Sequence, residues 1–326
     1  MKTKGIILSF ILAIPCYLLG KMYPVIGGPV IAIIVGMILK RFVKEDYEAG
    51  IKFTSKKVLQ LAVIMLGFSM NINQVVKSGY ESLPVIISTI SIALITAFIM
   101  CKILKMEREN AILVGVGSSI CGGSAIAATA PIINADDETI AKSISTIFLF
   151  NVIAAIIFPT LGEFLHLTNE GFAVFAGTAV NDTSSVTAAA ASWDAVHGSN
   201  TLEMATVVKL TRTLAIIPIS IILSIYENKK NNADKELNVL KLIPSFILFF
   251  VLFSILTTVL PLPDAFISGT KVLSKFFITM AMMAIGLSTD IVNLIKTGGK
   301  SIVLGFVCWI AVTLMSLLMQ NVVGLI

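Results

Sequence analysis

Two cations near the middle of an apolar segment are the residues best placed to do chemistry in this chain. Lys209 and Arg212 lie within residues 202–226, and about 25 residues at ~1.5 Å each exceed a ~30 Å hydrocarbon core. A cation there costs roughly 3 kcal/mol or more, so the pair predicts a functional site with a negatively charged partner. Their i, i+3 spacing places both on one helical face. Arg212 can hold an oxyanion through two hydrogen bonds, whereas Lys209 acts as a point charge.

Asp182 is an acid deep within another apolar segment, and it has two interpretations. As a functional group it would bind the proton or sodium ion that couples transport, or hold Arg212 in a salt bridge when no substrate is bound. As a structural group it would form a static ion pair that makes Lys209 and Arg212 tolerable. The sequence leaves both interpretations open.

Two motifs interrupt apolar segments with residues that favour a break in a helix. The first contains Ser118, Ser119, Gly122, Gly123 and Ser124, and the second contains Asn181, Asp182, Thr183, Ser184 and Ser185. A break at this depth is tolerated only where the freed backbone lines a polar cavity. We expect Ser124, and either Thr183 or Ser184, to cap half-helices whose N-termini face one cavity and bind an anion. Close packing of small residues is the alternative, but it does not account for Asn181 and Asp182.

These motifs lie in a chain whose composition is that of a helical membrane protein. Hydrophobic residues make up 56% and charged residues 13%, where soluble proteins carry about a quarter charged residues. We expect eleven apolar elements, at about 5–20, 24–40, 58–71, 83–104, 111–134, 139–162, 172–192, 202–226, 240–260, 272–289 and 300–325. Each motif could cross as a broken helix or dip and return as a re-entrant hairpin. The chain therefore has either eleven spans or nine spans and two hairpins.

Basic residues between the apolar elements predict the orientation. They concentrate in residues 40–57, in 102–108 and in 229–241, which fall on one side together with Lys2 and Lys4. The positive-inside rule then predicts that the N-terminus lies in the cytoplasm and the C-terminus outside. The net charge of +5 has the same cause, and no basic stripe with interleaved aromatics indicates a nucleic-acid partner.

Two internal similarities predict an inverted repeat, a common architecture of secondary transporters. Residues 67–82 align without gaps on residues 286–301, with Gly67, Ser69 and Lys77 matched by Gly286, Ser288 and Lys296. More weakly, residues 117–130 parallel residues 177–190. We expect one membrane domain over residues 1–326, with approximate inverted halves that contain the repeated elements in 54–162 and 172–326. Chance similarity of two apolar helix ends is the alternative.

Three sequence stretches resemble a known family. GVGSSICGGSAIAATAPI (115–132), AVNDTSSVTAAAASW (179–193) and VVKLTRTLAIIP (207–218) are similar to the YeiH family, whose members are named sulfate exporters. The resemblance covers essentially the whole chain and extends to the wider cation/proton antiporter and anion transporter superfamily. It implies a panel or dimerisation domain and a mobile core domain that holds the discontinuous helices. The family name implies export of sulfate, sulfite or a small sulfonate.

Together these observations predict a secondary-active transporter of the inner (plasma) membrane that exports a small oxyanion, coupled to protons or sodium. The predicted substrate-binding residues are Ser118, Ser119, Gly122, Gly123, Ser124, Asn181, Thr183, Ser184, Ser185, Lys209 and Arg212, with Asp182 as the ion-coupling residue. A monovalent cation/proton antiporter and a holin-like or sensory membrane protein are the alternatives. We expect no enzymatic activity, cofactor or metal. The sequence is compatible with a homodimer and does not fix the oligomeric state. No nucleotide-binding or hydrolase motif occurs in the sequence.

Overall fold

The computed structural model describes residues 2–23, 27–231, 245–260, 262–289 and 291–325, and their regular structure is helical throughout. Parts of the apolar segments expected from residue 24 and from residue 240, and the basic positions Lys235 and Lys241, lie outside these ranges. The α-helices are α1 Lys2–Met22, α2 Gly28–Leu39, α3 Glu48–Phe53, α4 Leu59–Leu66, α5 Ile72–Leu104, α6 Arg108–Ser119, α7 Gly123–Ile133, α8 Asp137–Phe164, α9 Asn169–Ala179, α10 Thr183–His197, α11 Thr201–Thr213, α12 Ile216–Asn231, α13 Ser245–Val259, α14 Asp264–Ser288 and α15 Ile291–Val323.

Six of the described helical stretches are long and apolar enough to cross a membrane. They are Lys2–Met22, Ile72–Leu104, Glu138–Phe164, Thr201–Lys229, Asp264–Ser288 and Gly299–Val323. The prediction of an all-α polytopic membrane protein is therefore confirmed. Two predicted elements are less regular than expected. A π-helical turn at Thr54–Val58 joins α3 to α4, and a hydrogen-bonded turn at residues 214–215 separates α11 from α12.

The helices pack as two bundles. The first bundle contains α1–α4, α13 and α14, and the second contains α5–α12 and α15. In the first bundle, α2 and α14 approach so closely that a Cβ on Gly36 would lie 2.6 Å from the Met283 carbonyl oxygen. Contacts between the bundles are sparser and include α10 against α2 and α14. The assignment of these bundles to the panel and core domains that the family resemblance implies stays a prediction.

The first motif forms a re-entrant hairpin made of α6 and α7. Asn110, in the first turn of α6, accepts a hydrogen bond from Ser143 Oγ in α8 (3.4 Å) and donates one to Ser301 Oγ (2.8 Å). The start of α6 therefore lies beside the start of α8. Residues 134–136 alone join α7 to α8, and three residues reach about 11 Å at most. The chain therefore enters with α6 and returns with α7 on the same side.

The second motif forms a re-entrant hairpin of α9 and α10 from the opposite side. The Trp193 ring, near the end of α10, stacks on Phe172 near the start of α9 with ring centroids 4.0 Å apart. Trp193 Nε1 also donates to Asn169 Oδ1 at 2.8 Å. The end of α10 thus returns to the start of α9, next to the end of α8. Of the two topologies that the sequence left open, these contacts among the described residues favour the one in which both motifs return as hairpins.

The aligned segments 67–82 and 286–301 occupy similar places in this topology. Each covers the end of one helix and the start of the next, α4 to α5 and α14 to α15. Helices α5 and α15 run antiparallel, since Lys300 Nζ donates to the Lys105 carbonyl and Cys308 Sγ lies 3.8 Å from the Ala93 carbonyl. The two segments therefore begin on opposite sides, as an inverted repeat requires. The inverted repeat itself, and which side is cytoplasmic, stay predictions.

Candidate functional site

The tips of the two hairpins meet in the middle of the second bundle. The first tip is the turn at residues 120–122, where Gly122 has φ 66° and ψ −129°, and the second tip is residues 180–182. A Cβ on Gly122 would lie 3.6 Å from Asp182 Cβ. Asn151 of α8 lies beside both tips, and its Oδ1 accepts hydrogen bonds from the amides of Asn181 (3.0 Å) and Asp182 (3.3 Å). The two interrupted motifs therefore form one structural centre.

Lys209 joins the two tips through backbone carbonyls. Its Nζ donates to the Ile120 carbonyl at 2.6 Å and to the Val180 carbonyl at 3.1 Å. One carbonyl belongs to each hairpin, and the lysine side chain is completely buried.

Arg212 makes the same connection with more hydrogen bonds. Its Nε donates to the Ser119 carbonyl (2.8 Å), its Nη2 to the Ser118 carbonyl (2.7 Å) and its Nη1 to the Thr178 carbonyl (2.6 Å). These oxygens lie at the ends of α6 and α9, where the last carbonyls have no partner within the helix. Arg212 is also completely buried. It thus donates hydrogen bonds to the free carbonyls at the C-terminal ends of α6 and α9, the first helix of each hairpin.

The partner of these cations is therefore the negative end of two helices. Each C-terminus carries roughly half a negative charge, which favours a nearby cation. Among the described residues, no carboxylate lies within ion-pair distance of Lys209 or Arg212. The expected salt bridge between Asp182 and Arg212 is thus not formed in this structure.

Asp182 instead caps the N-terminus of α10. Its Oδ2 accepts hydrogen bonds from the Ser184 amide (3.0 Å) and from the Ser184 hydroxyl. The expectation that Thr183 or Ser184 would be the cap is wrong, because the carboxylate one residue earlier reaches the free amide. Ser185 is buried in the same first turn, and Thr183 is half-buried there.

The N-terminus of α7 has a different arrangement. Gly122 is its N-cap residue and offers no side chain to the first amides. Ser124, which we expected to be the cap, lies one residue inside the helix and is exposed, while Gly123 is half-buried. Two nearby buried polar atoms have no hydrogen-bond partner, Ser118 Oγ and Asn181 Oδ1. This helix start is therefore the uncapped positive end at the centre.

The structure thus brings the predicted residues to one centre, where some lie at or beside the hairpin tips and the others lie in the half-helices that begin there. Ser118, Ser119, Gly122, Asn181, Asp182, Lys209 and Arg212 lie at the tips, and Gly123, Ser124, Thr183, Ser184 and Ser185 lie in the half-helices that leave them. From the sequence, Asn151 could reach the cavity or form a helix–helix hydrogen bond, and in the structure it holds the second tip. Its signal in the sequence was a lone amide in the middle of a span, a feature that more often marks an ordinary helix–helix hydrogen bond.

Comparison with known proteins places this architecture in a family. The family described as "Conserved hypothetical protein 698" matches residues 4–305. The chain belongs to this family. Relatives called UPF0324 membrane proteins occur in Streptococcus agalactiae (56% identical over 328 residues, 99% of this chain and 98% of the relative) and Fusobacterium nucleatum (52% over 343 residues, 99% of each). Their names agree with the six long apolar helices, and the chain is a multi-pass membrane protein.

The charges at the centre of this family member leave a positive surplus. Two cations and two helix N-termini face one carboxylate and two helix C-termini. With half a charge at each helix end, the surplus is about one positive charge. The centre is therefore suited to an anion.

The conformation of Gly122 provides a test of the first tip. Its dihedral angles are accessible to glycine and strained for other residues, so Gly122→Ala is expected to cost about 1–3 kcal/mol in the free energy of unfolding. Gly123→Ala is the matched control, because a Cβ there meets only Ile144 Cγ2, at 3.8 Å, and the residue is helical. Thermal unfolding in detergent should show a lower midpoint for Gly122→Ala alone. Equal midpoints for the two variants would contradict this tip geometry.

Proposed function

We propose that this protein is a secondary-active transporter that exports a small oxyanion such as sulfate, sulfite or a sulfonate across the cell membrane. The observation that carries the proposal is the surplus of positive charge where the hairpin tips meet beside an uncapped helix N-terminus. The resemblance to the YeiH family supports the same substrate class. Opposed re-entrant elements at the membrane midplane are typical of secondary transporters.

We place the oxyanion at the first turn of α7. The amides of Gly123 and Ser124 and the Ser124 hydroxyl can donate to it from an accessible face, and Asn181 lies at the opposing tip. Lys209 and Arg212 would attract the oxyanion through their charge without contacting it, because backbone carbonyls already occupy most of their donors. This assignment differs from the sequence-based expectation, in which both cations contact the substrate directly.

Ion pairs between the two bundles support an alternating-access mechanism. On α14, Lys271 Nζ lies 2.7 Å from Glu203 Oε1 and donates to Asn200 Oδ1 at 2.6 Å. One turn further, Lys275 Nζ lies 3.9 Å from Asp194 Oδ2. These pairs hold the second bundle against the first at the side from which the α9–α10 hairpin enters. Opening that side would require them to break, while Ser124 is exposed in the present state.

Coupling to protons or sodium would run through Asp182. Its carboxylate is half-buried, caps α10 and lies next to the first tip, so a proton or sodium ion bound there would change the charge that the substrate meets. Binding of the coupling ion would raise the positive surplus and so favour the oxyanion. Ion and substrate would therefore bind with positive cooperativity and cross together, and the inside-negative membrane potential, which drives a net negative complex outward, would set the direction of export.

The leading alternative is a monovalent cation/proton antiporter. Asp182 would then be the ion site, and cation exchange would proceed without any added anion. The positive surplus argues against this, because a cation would enter a region already occupied by Lys209 and Arg212. A holin-like or sensory protein would show no ligand-dependent stabilisation at all.

A thermal-shift screen of the purified protein tests the proposal and both alternatives. The panel is sulfate, sulfite, thiosulfate, small sulfonates and dicarboxylates, each with and without sodium and at two pH values. An oxyanion should raise the midpoint in a saturable way, and sodium or low pH should enlarge the shift. Stabilisation by sodium alone would favour the antiporter, and an unchanged midpoint throughout would contradict transport of these anions.

Ser124→Asp is expected to separate binding from stability. A carboxylate in the first turn of α7 complements the helix dipole, so the free energy of unfolding should rise by about 0.3–1 kcal/mol. The same charge would repel and displace an oxyanion, so oxyanion-dependent stabilisation should disappear. Ser124→Ala is the control and should retain most of the response. Persistence of the full oxyanion response in Ser124→Asp would place the anion elsewhere.

A further inference from the structure

A cavity lies in a groove between α5, α6 and α12. Its volume is about 580 Å³. Its walls are almost entirely apolar and include Leu94 of α5, Val116 of α6 and Ile219 of α12, whereas its polar residues are Lys102, Arg108 and Tyr226. The function proposed above uses none of these side chains.

The polar residues all lie at one end of the groove. Lys102 is in the last turn of α5, Arg108 begins α6, and Tyr226 is near the end of α12. Leu94, Val116 and Ile219 are each seven or eight residues further from that end, which is about 11 Å along a helix. The groove is therefore amphipathic along the membrane normal, with cations at the surface and aliphatic walls inside.

The cationic end can accept an anion. Lys102 Nζ lies 4.4 Å from the centroid of the Phe98 ring, and in the described part of the chain no carboxylate is within ion-pair distance of it. Arg108 Nη2 lies 2.5 Å from Glu227 Oε1, and its guanidinium covers the Tyr226 ring at 5.0 Å. Glu227 therefore neutralises Arg108 and leaves Lys102 available, with Lys105 and Lys229 exposed on the same side.

We propose that this groove is a binding site for an anionic phospholipid. The phosphate would contact Lys102 and the outer edge of Arg108, and one acyl chain would lie along Leu94, Val116 and Ile219. Basic pockets between transmembrane helices on the cytoplasmic side bind acidic headgroups, and this end is on the side that the positive-inside rule predicts to be cytoplasmic. A zwitterionic lipid would fill the apolar part equally well but would lack the net charge that Lys102 favours.

The lipid would contact the helical arm that ends at the first hairpin tip. Val116 lines the groove, and its carbonyl accepts hydrogen bonds from the Ile120 amide (3.1 Å) and from Ser119 Oγ (3.0 Å). The carbonyls of Ser119 and Ile120 in turn bind Arg212 and Lys209. An acyl chain in the groove would therefore press α6 against its neighbours next to the tip.

Native mass spectrometry of the detergent-purified protein, with added lipids, tests the proposal. Phosphatidylglycerol and phosphatidylcholine with identical acyl chains are compared, together with inorganic phosphate as competitor. We expect phosphatidylglycerol to be retained preferentially and inorganic phosphate at the same concentration not to displace it. Lys102→Ala should reduce that preference about fivefold, the contribution of one basic side chain near an anionic surface. Ile219→Trp, which fills the inner groove, should reduce retention of both lipids.

Lys44→Ala is the matched control, since Lys44 is an exposed lysine on the same predicted side but in the first bundle. It should leave the lipid preference unchanged. Equal retention of the two lipids, or the same loss in Lys44→Ala as in Lys102→Ala, would overturn the proposal. Protection of the groove by a second copy of the chain, seen as a dimer that excludes lipid, would also overturn it.

Discussion

Replacing Arg212 with alanine is expected to lower the free energy of unfolding by about 3 kcal/mol or more, since each buried polar group left without a partner costs about 1–3 kcal/mol. The physical reason is that the carbonyls of Ser118, Ser119 and Thr178 would lose their donors in a buried site. Arg212→Lys should recover part of the loss, because one ammonium cannot reach all three oxygens. Thermal unfolding in detergent, followed by tryptophan fluorescence, measures the effect.

Arg41→Ala is the control for the loss of an arginine. Arg41 is exposed, and its guanidinium lies over the ring of the neighbouring Phe42. It should leave the midpoint almost unchanged. If Arg212→Ala instead unfolds at the wild-type temperature and loses only the response to oxyanions, Arg212 is a ligand-binding residue. That outcome would restore the interpretation based on sequence alone.

Replacing Asn151 with leucine is expected to have the second-largest effect. The amides of Asn181 and Asp182 would lose their shared acceptor, and an unpaired buried group costs about 1–3 kcal/mol. Asn151→Asp keeps an oxygen in the same place, so the second tip should fold more stably than in the leucine variant. Its added negative charge would cancel the positive surplus, so oxyanion-dependent stabilisation should fall. Thermal unfolding with and without the oxyanion separates the two effects.

Asn321→Leu makes the same substitution at an exposed amide and serves as the control. We expect it to change neither the midpoint nor the oxyanion response. A stable Asn151→Leu protein would show that the tip is held without this side chain. An undiminished oxyanion response in Asn151→Asp would argue against the charge balance as the basis of anion binding.

The long apolar helices could be predicted from sequence because their signal is local. Hydropathy located all six of the long spans, and glycine, serine and Asn181–Asp182 located both interruptions. The choice between crossing and returning was not local, because it depends on which distant residues lie side by side. The contacts of Asn110 with Ser143 and of Trp193 with Phe172 decide it, and neither pair has a sequence pattern of its own.

The site was predicted in part for a similar reason. A cation within an apolar segment is conspicuous because burying it costs free energy, so Lys209 and Arg212 could be singled out without a structure. Their partners could not, because every residue has a backbone carbonyl and no residue type indicates which carbonyls converge. The same limit applies to Asp182. Its carboxylate was expected to pair with a charge, but it accepts hydrogen bonds from the amide and the hydroxyl of Ser184.

Protection of a cysteine at the first turn of α7 tests the central claim most directly. In a variant that lacks the four native cysteines, Ser124→Cys is labelled with a charged thiol reagent in the presence of the oxyanion selected by the thermal-shift screen. We predict rapid labelling without the oxyanion and saturable protection with it, enhanced by sodium or low pH and absent in a second variant that also carries Asn151→Asp. Labelling that no oxyanion slows, or protection by sodium alone, would contradict an anion site at the hairpin tips.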